Sequence, residues 1–104
     1  MMTHELKTDR DVFDAVADGT KTYEIRYDDR GFAVGDTLIL RRTKYTGDEM
    51  RNGMPLEYAG EQEARTVSHI LRGPAYGLQQ GWVILSLNAQ VLAPAGENQT
   101  NKIK

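Results

Sequence analysis

The sequence predicts an α+β domain that is mainly β, folded as a small, partly closed β-barrel of about five to six strands with one or two short helices. Its length of 104 residues suits a single domain. Short alternating segments are separated by turns that contain Gly, Pro and Asp, as is typical of neighbouring strands. One segment near the start has helical spacing instead, and no segment repeats. Nothing in this pattern requires parallel strands.

The first two predicted elements are a strand and a helix. Residues 5–7 are centred on an apolar side chain and predict a short edge strand. Thr8 and Asp9 then offer a helix N-cap, and Gly19 stands where a C-terminal cap is expected. Between them, apolar side chains recur at helical spacing, at Val12, Phe13, Val16 and Ala17. We therefore predict a helix over residues 9–18.

The next segment, residues 22–28, alternates regularly and predicts a half-buried strand. Its apolar face carries Tyr23, Ile25 and Tyr27. Its polar face carries Thr22, Glu24 and Arg26. A turn at residues 29–31 and a tight Val-Gly-Asp turn at residues 34–36 lead to the next strand.

The second half of the chain predicts three further strands, at residues 37–43, 64–72 and 82–87. Between the first two, residues 45–60 hold three glycines, a proline and scattered charges. We expect this segment to be a long, mobile loop or a hairpin extension, and a loop of that length in a small domain is usually functional. The domain is predicted to span residues 1–88, and the polar residues 89–104 a disordered tail.

Composition excludes several classes of protein. The chain has no Cys, which excludes disulfides and thiolate chemistry, and its two His residues are far apart, which argues against a zinc site. We therefore expect no metal and no other cofactor. The net charge of −2 does not by itself indicate a nucleic-acid-binding protein. No apolar run is long enough to cross a membrane, and no signal segment opens the chain, so we expect a cytoplasmic protein without membrane contact.

The chemistry-bearing residues crowd around the strand at residues 22–28. If its polar face lines a cleft, Lys21 and Arg26 are suited to hold an anion or a carbonyl oxygen, and Glu24 to accept protons from a base or a sugar. Arg41 or Arg42, on the following strand, would add positive charge, although strand alternation lets only one of them face a given cleft. The candidate ligand-binding residues are Lys21, Thr22, Glu24, Arg26, Arg41 and Tyr76.

A plainer interpretation of the same residues exists. Thr22, Glu24 and Arg26 also suit a solvated strand face with ordinary cross-strand ion pairs. His69, between apolar strand residues, is expected to be packed rather than catalytic, and Trp82 is expected in the core. Tyr76 and Trp82 are also aromatic side chains of the kind that stacks on a nucleobase.

The ordered string of motifs resembles the ASCH domains, a branch of the PUA-like superfamily. Their signature is a helix ending in Gly-x-Lys-Thr, a strand with Glu and Arg, and a Val-Gly-Asp turn. Here residues 19–26 read Gly-Thr-Lys-Thr-Tyr-Glu-Ile-Arg, and residues 34–36 read Val-Gly-Asp. The wider layout resembles a short bacterial and phage family of unknown function that opens with His-Glu-Leu-Lys, as residues 4–7 do. The resemblance covers roughly residues 3–88.

The resemblance implies a PUA-like pseudobarrel with a cleft beside the Gly-x-Lys strand, and related PUA-like domains bind RNA. Some ASCH members are enzymes that remove the acetyl group from N4-acetylcytidine with a Lys, a Thr and a Glu. Lys21 matches that Lys, but Glu24 stands where those enzymes have the Thr, and their Glu has no equivalent that we can assign. Other relatives are reported as ribonucleases, and no paired histidines or metal cluster here indicate that chemistry.

Three functions stay open at this point. The first is binding of RNA or of a modified nucleotide, with Lys21 and Arg26 on phosphate or base, Glu24 reading a base edge, and residues 45–60 closing over the ligand. The second is a small amidohydrolase for an acylated nucleoside, in which Lys21 stabilises the oxyanion and Glu24 is the general base. The third is a phage accessory protein that binds a host protein through the long loop.

Overall fold

A computed structural model of the chain describes residues 1–89. Five strands and two helices follow in the order β1 (Thr3–Thr8), α1 (Arg10–Ala17), β2 (Tyr23–Tyr27), β3 (Thr37–Thr43), α2 (Gly47–Arg51), β4 (Tyr58–Arg72) and β5 (Trp82–Ala89). The five strands form one sheet curled into a half-barrel, which confirms the prediction of an α+β, mainly β pseudobarrel. Ala89 ends β5, and the rest of the predicted disordered tail lies outside the described residues.

The strand order in the sheet is β1-β3-β4-β5-β2. β3, β4 and β5 form an antiparallel meander, and β2 adds to β5 in antiparallel pairing. β1 instead pairs in parallel with β3, which the sequence pattern did not indicate. The parallel pair arises because α1 carries the chain from one edge of the sheet to the other. Both edge strands therefore come from the first 27 residues.

The core lies on the concave side of the sheet, between the strands and α1. Alternate residues of β1, β3 and β5 point inward, and α1 adds Phe13 and Val16, as its helical spacing predicted. The buried apolar side chains are Leu6, Phe13, Val16, Phe32, Leu38, Leu40, Val67, Val83, Leu85 and Leu87. α1 begins and ends within one residue of its predicted bounds. Asp9 is the N-cap residue, but its side chain makes no capping hydrogen bond.

One buried polar cluster fixes β1 against the turn before β3. Asp36 is 2 % exposed, and both of its carboxylate oxygens accept hydrogen bonds. Met2 N donates to Oδ1 at 3.0 Å, while His4 Nε2 at 2.9 Å and Ala33 N at 3.0 Å donate to Oδ2. These donors, the Met2 amide first and then His4, hold the pKa of Asp36 below its ordinary value. The cluster therefore ties the N-terminal edge strand to the sheet.

The predicted long loop at residues 45–60 is more regular than expected. It contains α2, which begins with a capping box: Glu49 N donates to Thr46 Oγ1 at 3.1 Å, and Thr46 N donates to Glu49 Oε1 at 2.9 Å. β4 also begins at Tyr58, six residues earlier than predicted, because Tyr58 pairs with Thr43 beyond an irregularity in the ladder. The segment is thus a hairpin extension with a short helix in it.

Candidate functional site

A cleft of about 420 Å³ lies between the two edge strands, at the open side of the half-barrel. Side chains of β1, β2 and the start of β5 line it, together with parts of α1 and of the turn after β2. The residues that matter below are Lys7, Lys21, Glu24, Arg26, Tyr27, Arg30 and Trp82. The cleft is therefore built almost entirely from the first 30 residues of the chain.

Arginine side chains cross the gap between β1 and β2, which we call the seam. Arg26 Nη2 donates to the Lys7 carbonyl at 2.6 Å, and Arg30 Nη1 donates to the Glu5 carbonyl at 3.0 Å. These carbonyls lie on the free edge of β1, which would otherwise present unpaired backbone acceptors. Two guanidinium groups thus occupy part of the position that a neighbouring strand would take.

The turn after β2 is shaped by one carboxylate, that of Asp28. Its Oδ1 accepts the backbone N–H of Arg30 at 3.2 Å, of Gly31 at 2.7 Å and of Phe32 at 3.2 Å. Its Oδ2 accepts from Arg72 Nη1 at 3.1 Å. Burial raises the pKa of Asp28, but these backbone amides and Arg72 outweigh that effect and hold the pKa below its ordinary value. Asp28 thereby holds the turn that presents Arg30 to the seam.

Glu24 is the most unusual group in the cleft. Its residue is 4 % exposed, so its carboxylate is nearly removed from bulk water. Arg26 Nε donates to Oε2 at 3.1 Å, whereas no donor from residues 1–89 reaches Oε1. Buried carboxylate oxygens normally have hydrogen-bond partners, because an unpaired one retains its full cost of desolvation. Oε1 is therefore an available acceptor in the cleft wall.

The end of α1 holds Lys21 in place. Gly19 adopts φ +87° at the helix end, as its expected capping role requires, and its amide donates to the Val16 carbonyl at 3.1 Å. Lys21 N then donates to the Ala15 carbonyl at 2.9 Å, so its backbone is tied to the helix. The Lys21 ammonium lies 4.1 Å from the centre of the Tyr23 ring, in a cation–π contact.

The two candidate catalytic residues, Lys21 and Glu24, line the same cleft but do not form an ion pair. Within residues 1–89, no carboxylate lies within 4.0 Å of the ammonium group of Lys7 or Lys21, and Glu24 pairs instead with Arg26 of its own strand. The plainer interpretation, a solvated polar face, does not fit Glu24, which is buried. The cleft therefore offers two cations without carboxylate partners beside a buried, half-paired anion.

The structure places the other candidate ligand-binding residues outside this cleft. Thr22 is exposed, and its carbonyl accepts from Leu87 N at 2.9 Å. Arg41 lies on β3, which is not the spatial neighbour of β2; its guanidinium carbon is 3.8 Å from the centre of the Tyr58 ring, beside a separate cavity of about 200 Å³. Tyr76 is 97 % exposed on the turn between β4 and β5. Only Lys21, Glu24 and Arg26 of the predicted set meet in the cleft.

Arg42 and His69 lie in surroundings that the sequence analysis did not predict. Arg42 forms a two-point contact with Asp14 of α1, at 2.8 and 3.2 Å, and this hydrogen bonding lowers the pKa of Asp14. Strand alternation therefore separates Arg42 from Arg41, as expected. His69 is exposed instead of packed, because it lies on the outer face of β4, which no other element of residues 1–89 covers.

The sequence analysis did not assign Lys7, Tyr27 or Arg30 to the cleft, and it favoured the core for Trp82. Trp82 was expected in the core, but it is 37 % exposed, because Val83, Leu85 and Leu87 take the inward positions of β5 and leave Trp82 on the outer side. Tyr27 lies directly opposite it on β2. Nothing in the sequence indicated that Lys7 and Arg30 would line the cleft. Their meeting there depends on the sheet topology, which local spacing does not show.

Comparison with known proteins places the chain in a family. A family model described as a domain of unknown function (DUF3850) matches residues 3–87, which is most of the chain. The chain belongs to this family. All five strands of the half-barrel fall within the match except the last residues of β5, so the DUF3850 domain includes the whole cleft. No curated protein matches the chain.

The described residues of this DUF3850 domain lack two further kinds of feature. No helix in residues 1–89 is long and apolar enough to cross a membrane. Across the same residues, no group of three or more His, Cys, Asp or Glu side chains is arranged to hold a metal ion. The charged and aromatic residues that line the cleft carry carboxylates (Asp9, Glu24 and Asp29), guanidinium and ammonium groups, and aromatic rings.

Proposed function

We propose that this domain binds RNA, or a nucleotide or modified nucleoside, in the cleft between β1 and β2. The observation that carries the proposal is the buried Glu24 carboxylate, which has one oxygen held by Arg26 and the other without a donor from residues 1–89. A ligand that donates a hydrogen bond to Oε1 would complete this group. The exocyclic amines and ring N–H groups of nucleobases are such donors.

The charges around Glu24 favour a ligand that also carries an anion. Lys7 and Lys21 place ammonium groups without carboxylate partners in the described part of the chain at the same cleft. Arg26 adds a guanidinium group that is already oriented by Glu24 and by the Lys7 carbonyl. Phosphate groups bind to such cations, and a nucleotide combines phosphate with a base edge that can donate to a carboxylate.

The size of the cleft agrees with a ligand of this kind. Its volume of about 420 Å³ lies within the range of small-molecule sites, roughly 300 to 1,000 Å³. The resemblance of residues 19–26 and 34–36 to ASCH domains supports the same proposal, because related PUA-like domains bind RNA. The half-barrel with its cleft beside the Gly-x-Lys strand is compatible with that assignment.

Fluorescence anisotropy with short labelled RNAs at low salt tests the proposal. Lys21→Ala is expected to weaken binding and to reduce the slope of log affinity against log salt by about 1, because one phosphate contact is lost. Glu24→Gln is expected to lower affinity about tenfold or more, since an amide replaces a charged acceptor. The Lys21→Ala effect should be absent for ligands that lack a phosphate, and the Glu24→Gln effect should be absent for ligands that lack a base.

Matched controls lie elsewhere on the surface. Lys44, whose ammonium lies 3.6 Å from Glu57, is an exposed lysine outside the cleft, so Lys44→Ala tests loss of charge alone. Arg41→Ala tests an arginine that the sequence predicted at the cleft but that lies beside the other cavity. If no RNA or nucleotide binds at low salt, or if Lys21→Ala and Lys44→Ala have equal effects, the proposal is wrong.

A hydrolase for an acylated nucleoside is the second candidate function, and the free Oε1 of Glu24 is the observation that favours it. A carboxylate oxygen without a donor is a suitable general base for a water molecule. Lys21 is the residue that would stabilise the oxyanion, although its ammonium rests on Tyr23. Incubation with N4-acetylcytidine followed by chromatography tests this function. A rate that Glu24→Gln leaves unchanged would exclude it.

A further inference from the structure

The outer face of β2 carries the side chains that an ordinary half-buried strand would bury. Tyr23, Ile25 and Tyr27 are 42, 47 and 57 % exposed, while Glu24 and Arg26 take the inward side. The alternation predicted from the sequence is thus present with its two faces reversed. Contiguous exposed apolar side chains usually mark a binding surface.

Tyr27 of this face and Trp82 of β5 form a fixed aromatic pair at the mouth of the cleft, which we call the aromatic rim. They face each other across the β2–β5 ladder, with ring centres 6.1 Å apart and planes at 74°. Gly81 makes room for this arrangement, since a Cβ there would lie 2.6 Å from Tyr27 Cε1. The Tyr27 ring therefore rests against the Gly81 backbone, and the rim is held before any ligand arrives.

The aromatic rim is continuous with the cleft. Tyr27 and Trp82 line the same cavity as Lys21, Glu24 and Arg26. Arg30, whose guanidinium crosses the seam to the Glu5 carbonyl, brings a further cation to the same cavity. Exposed rings interleaved with cations along one path are the combination that single-stranded nucleic acids use, because bases stack on the rings and phosphates bind to the cations.

We propose that the natural ligand is a single-stranded nucleic acid, with one nucleotide in the cleft and a neighbouring base stacked on the aromatic rim. This inference rests on the proposed function, and it commits that function to an oligonucleotide instead of a free nucleotide. A duplex does not fit, since its bases are already stacked and paired. A free nucleotide would occupy the cleft and leave the rim exposed to water.

The experiment compares a monomer with an oligomer. Cytidine 5′-monophosphate and a fluorescein-labelled cytidine ribohexamer are titrated into the full chain, the monomer by competition. The hexamer is expected to bind at least about tenfold more tightly than the monomer, and Trp82→Ala to lower hexamer affinity about 5- to 20-fold more than monomer affinity. The deoxyribohexamer is measured in the same way, which distinguishes RNA from DNA as the source of the strand.

Trp82 supplies its own optical signal, because it is the only tryptophan in the chain. Stacking of a base on the ring is expected to quench its emission when the unlabelled hexamer binds. Tyr58→Ala is the matched control, since Tyr58 is an exposed tyrosine under a cation, Arg41, at the other cavity. Trp82→Phe keeps a ring at the rim and is expected to retain most of the hexamer affinity, which separates stacking from misfolding.

The outcomes distinguish this inference from the proposal on which it rests. Equal affinities for monomer and hexamer, or a hexamer affinity that Trp82→Ala and Tyr58→Ala change equally, overturn the inference and leave nucleotide binding intact. The second result would assign the outer face of β2 to another use, such as contact with a protein. Failure of both probes to bind the wild-type chain overturns the proposed function itself.

Discussion

Two buried carboxylates of this domain, Asp36 and Glu24, are equally hidden from water and differ in what they bond. Asp36 accepts hydrogen bonds at both oxygens from three donors and joins β1 to the turn before β3. Within residues 1–89, Glu24 has a single donor, Arg26, and it lines a cleft. A carboxylate whose bonds are complete within the chain stabilises the fold, whereas one with a free oxygen in a cavity is available to a ligand. The contrast singles out Glu24 as the candidate ligand-binding acid in a chain that has 15 acidic residues.

The largest effect is expected from breaking the complete cluster. Asp36→Asn replaces one acceptor oxygen with an NH2 group, so that either the Met2 amide or both His4 and Ala33 lose their acceptor, and we expect the free energy of unfolding to fall by about 3 kcal/mol. Urea denaturation followed by circular dichroism measures it. Asp29→Asn is the control, because Asp29 has a side chain that is 69 % exposed, and its loss should cost less than about 0.5 kcal/mol. Similar losses from the two variants would refute the structural role of Asp36.

A smaller effect is expected at the incomplete carboxylate. Arg26→Met removes the one donor to Glu24 and should cost about 2 kcal/mol, less than a fully buried pair because the Arg26 side chain is 26 % exposed. In a Glu24→Gln background the same substitution should cost about half as much, since no charge is then left unpaired. Glu24→Gln alone should change stability by less than about 1 kcal/mol while it abolishes most ligand binding. Additive costs in the double-mutant cycle would contradict the pairing.

The response to acid gives a further test of Asp36. The folded state lowers the pKa of Asp36 below its ordinary value of 3.8, so its ionised form stabilises the fold fully above that value. This contribution is lost as the pH falls from there through the folded-state pKa. Stability measured by urea denaturation from about pH 6 to about pH 2.5 should therefore fall less steeply for Asp36→Asn than for the wild type. A curve of unchanged steepness would show that Asp36 is not the group concerned.

The smallest effect is expected at a third carboxylate, Glu49, which is exposed to solvent and accepts a backbone hydrogen bond in the α2 capping box. Hydrogen bonding from the Thr46 backbone lowers the pKa of Glu49. Thr46→Ala removes the other half of the box and should cost about 1 kcal/mol or less, with ligand affinity unchanged. Thermal denaturation and the same anisotropy titration measure both. A large loss of affinity would support the prediction that residues 45–60 close over the ligand.

Local patterns in the sequence predicted those features that depend on neighbouring residues. The helix at residues 9–18, the cap at Gly19, and the common side of Glu24 and Arg26 follow from helical and strand spacing, and the structure has all three. Val83, Leu85 and Leu87 also share the inward face, as their alternation indicated. These features need no knowledge of which strands lie side by side.

Features that depend on pairing between residues far apart in the sequence could not be predicted from local patterns. The outward position of Tyr23, Ile25 and Tyr27 reverses the usual rule for apolar faces, and only the closure of the seam around Glu24 and Arg26 explains it. Arg41 was expected beside β2, because the two strands follow one another in sequence, but β3 pairs with β1 and β4. The position of Trp82 opposite Tyr27 could likewise be predicted only from the register of β5 against β2.

The order of strands has a consequence for how the domain is made. The cleft residues are almost all synthesised first, yet β2 pairs only with β5, the last strand of the described chain. A nascent chain that has emerged as far as β4 therefore holds Lys21, Glu24 and Arg26 on a strand without a partner. The meander of β3, β4 and β5 has the more local contacts and is the part suited to form early. The ability to bind a ligand should consequently appear late in synthesis, with the release of the final strand, although its residues are among the earliest to leave the ribosome.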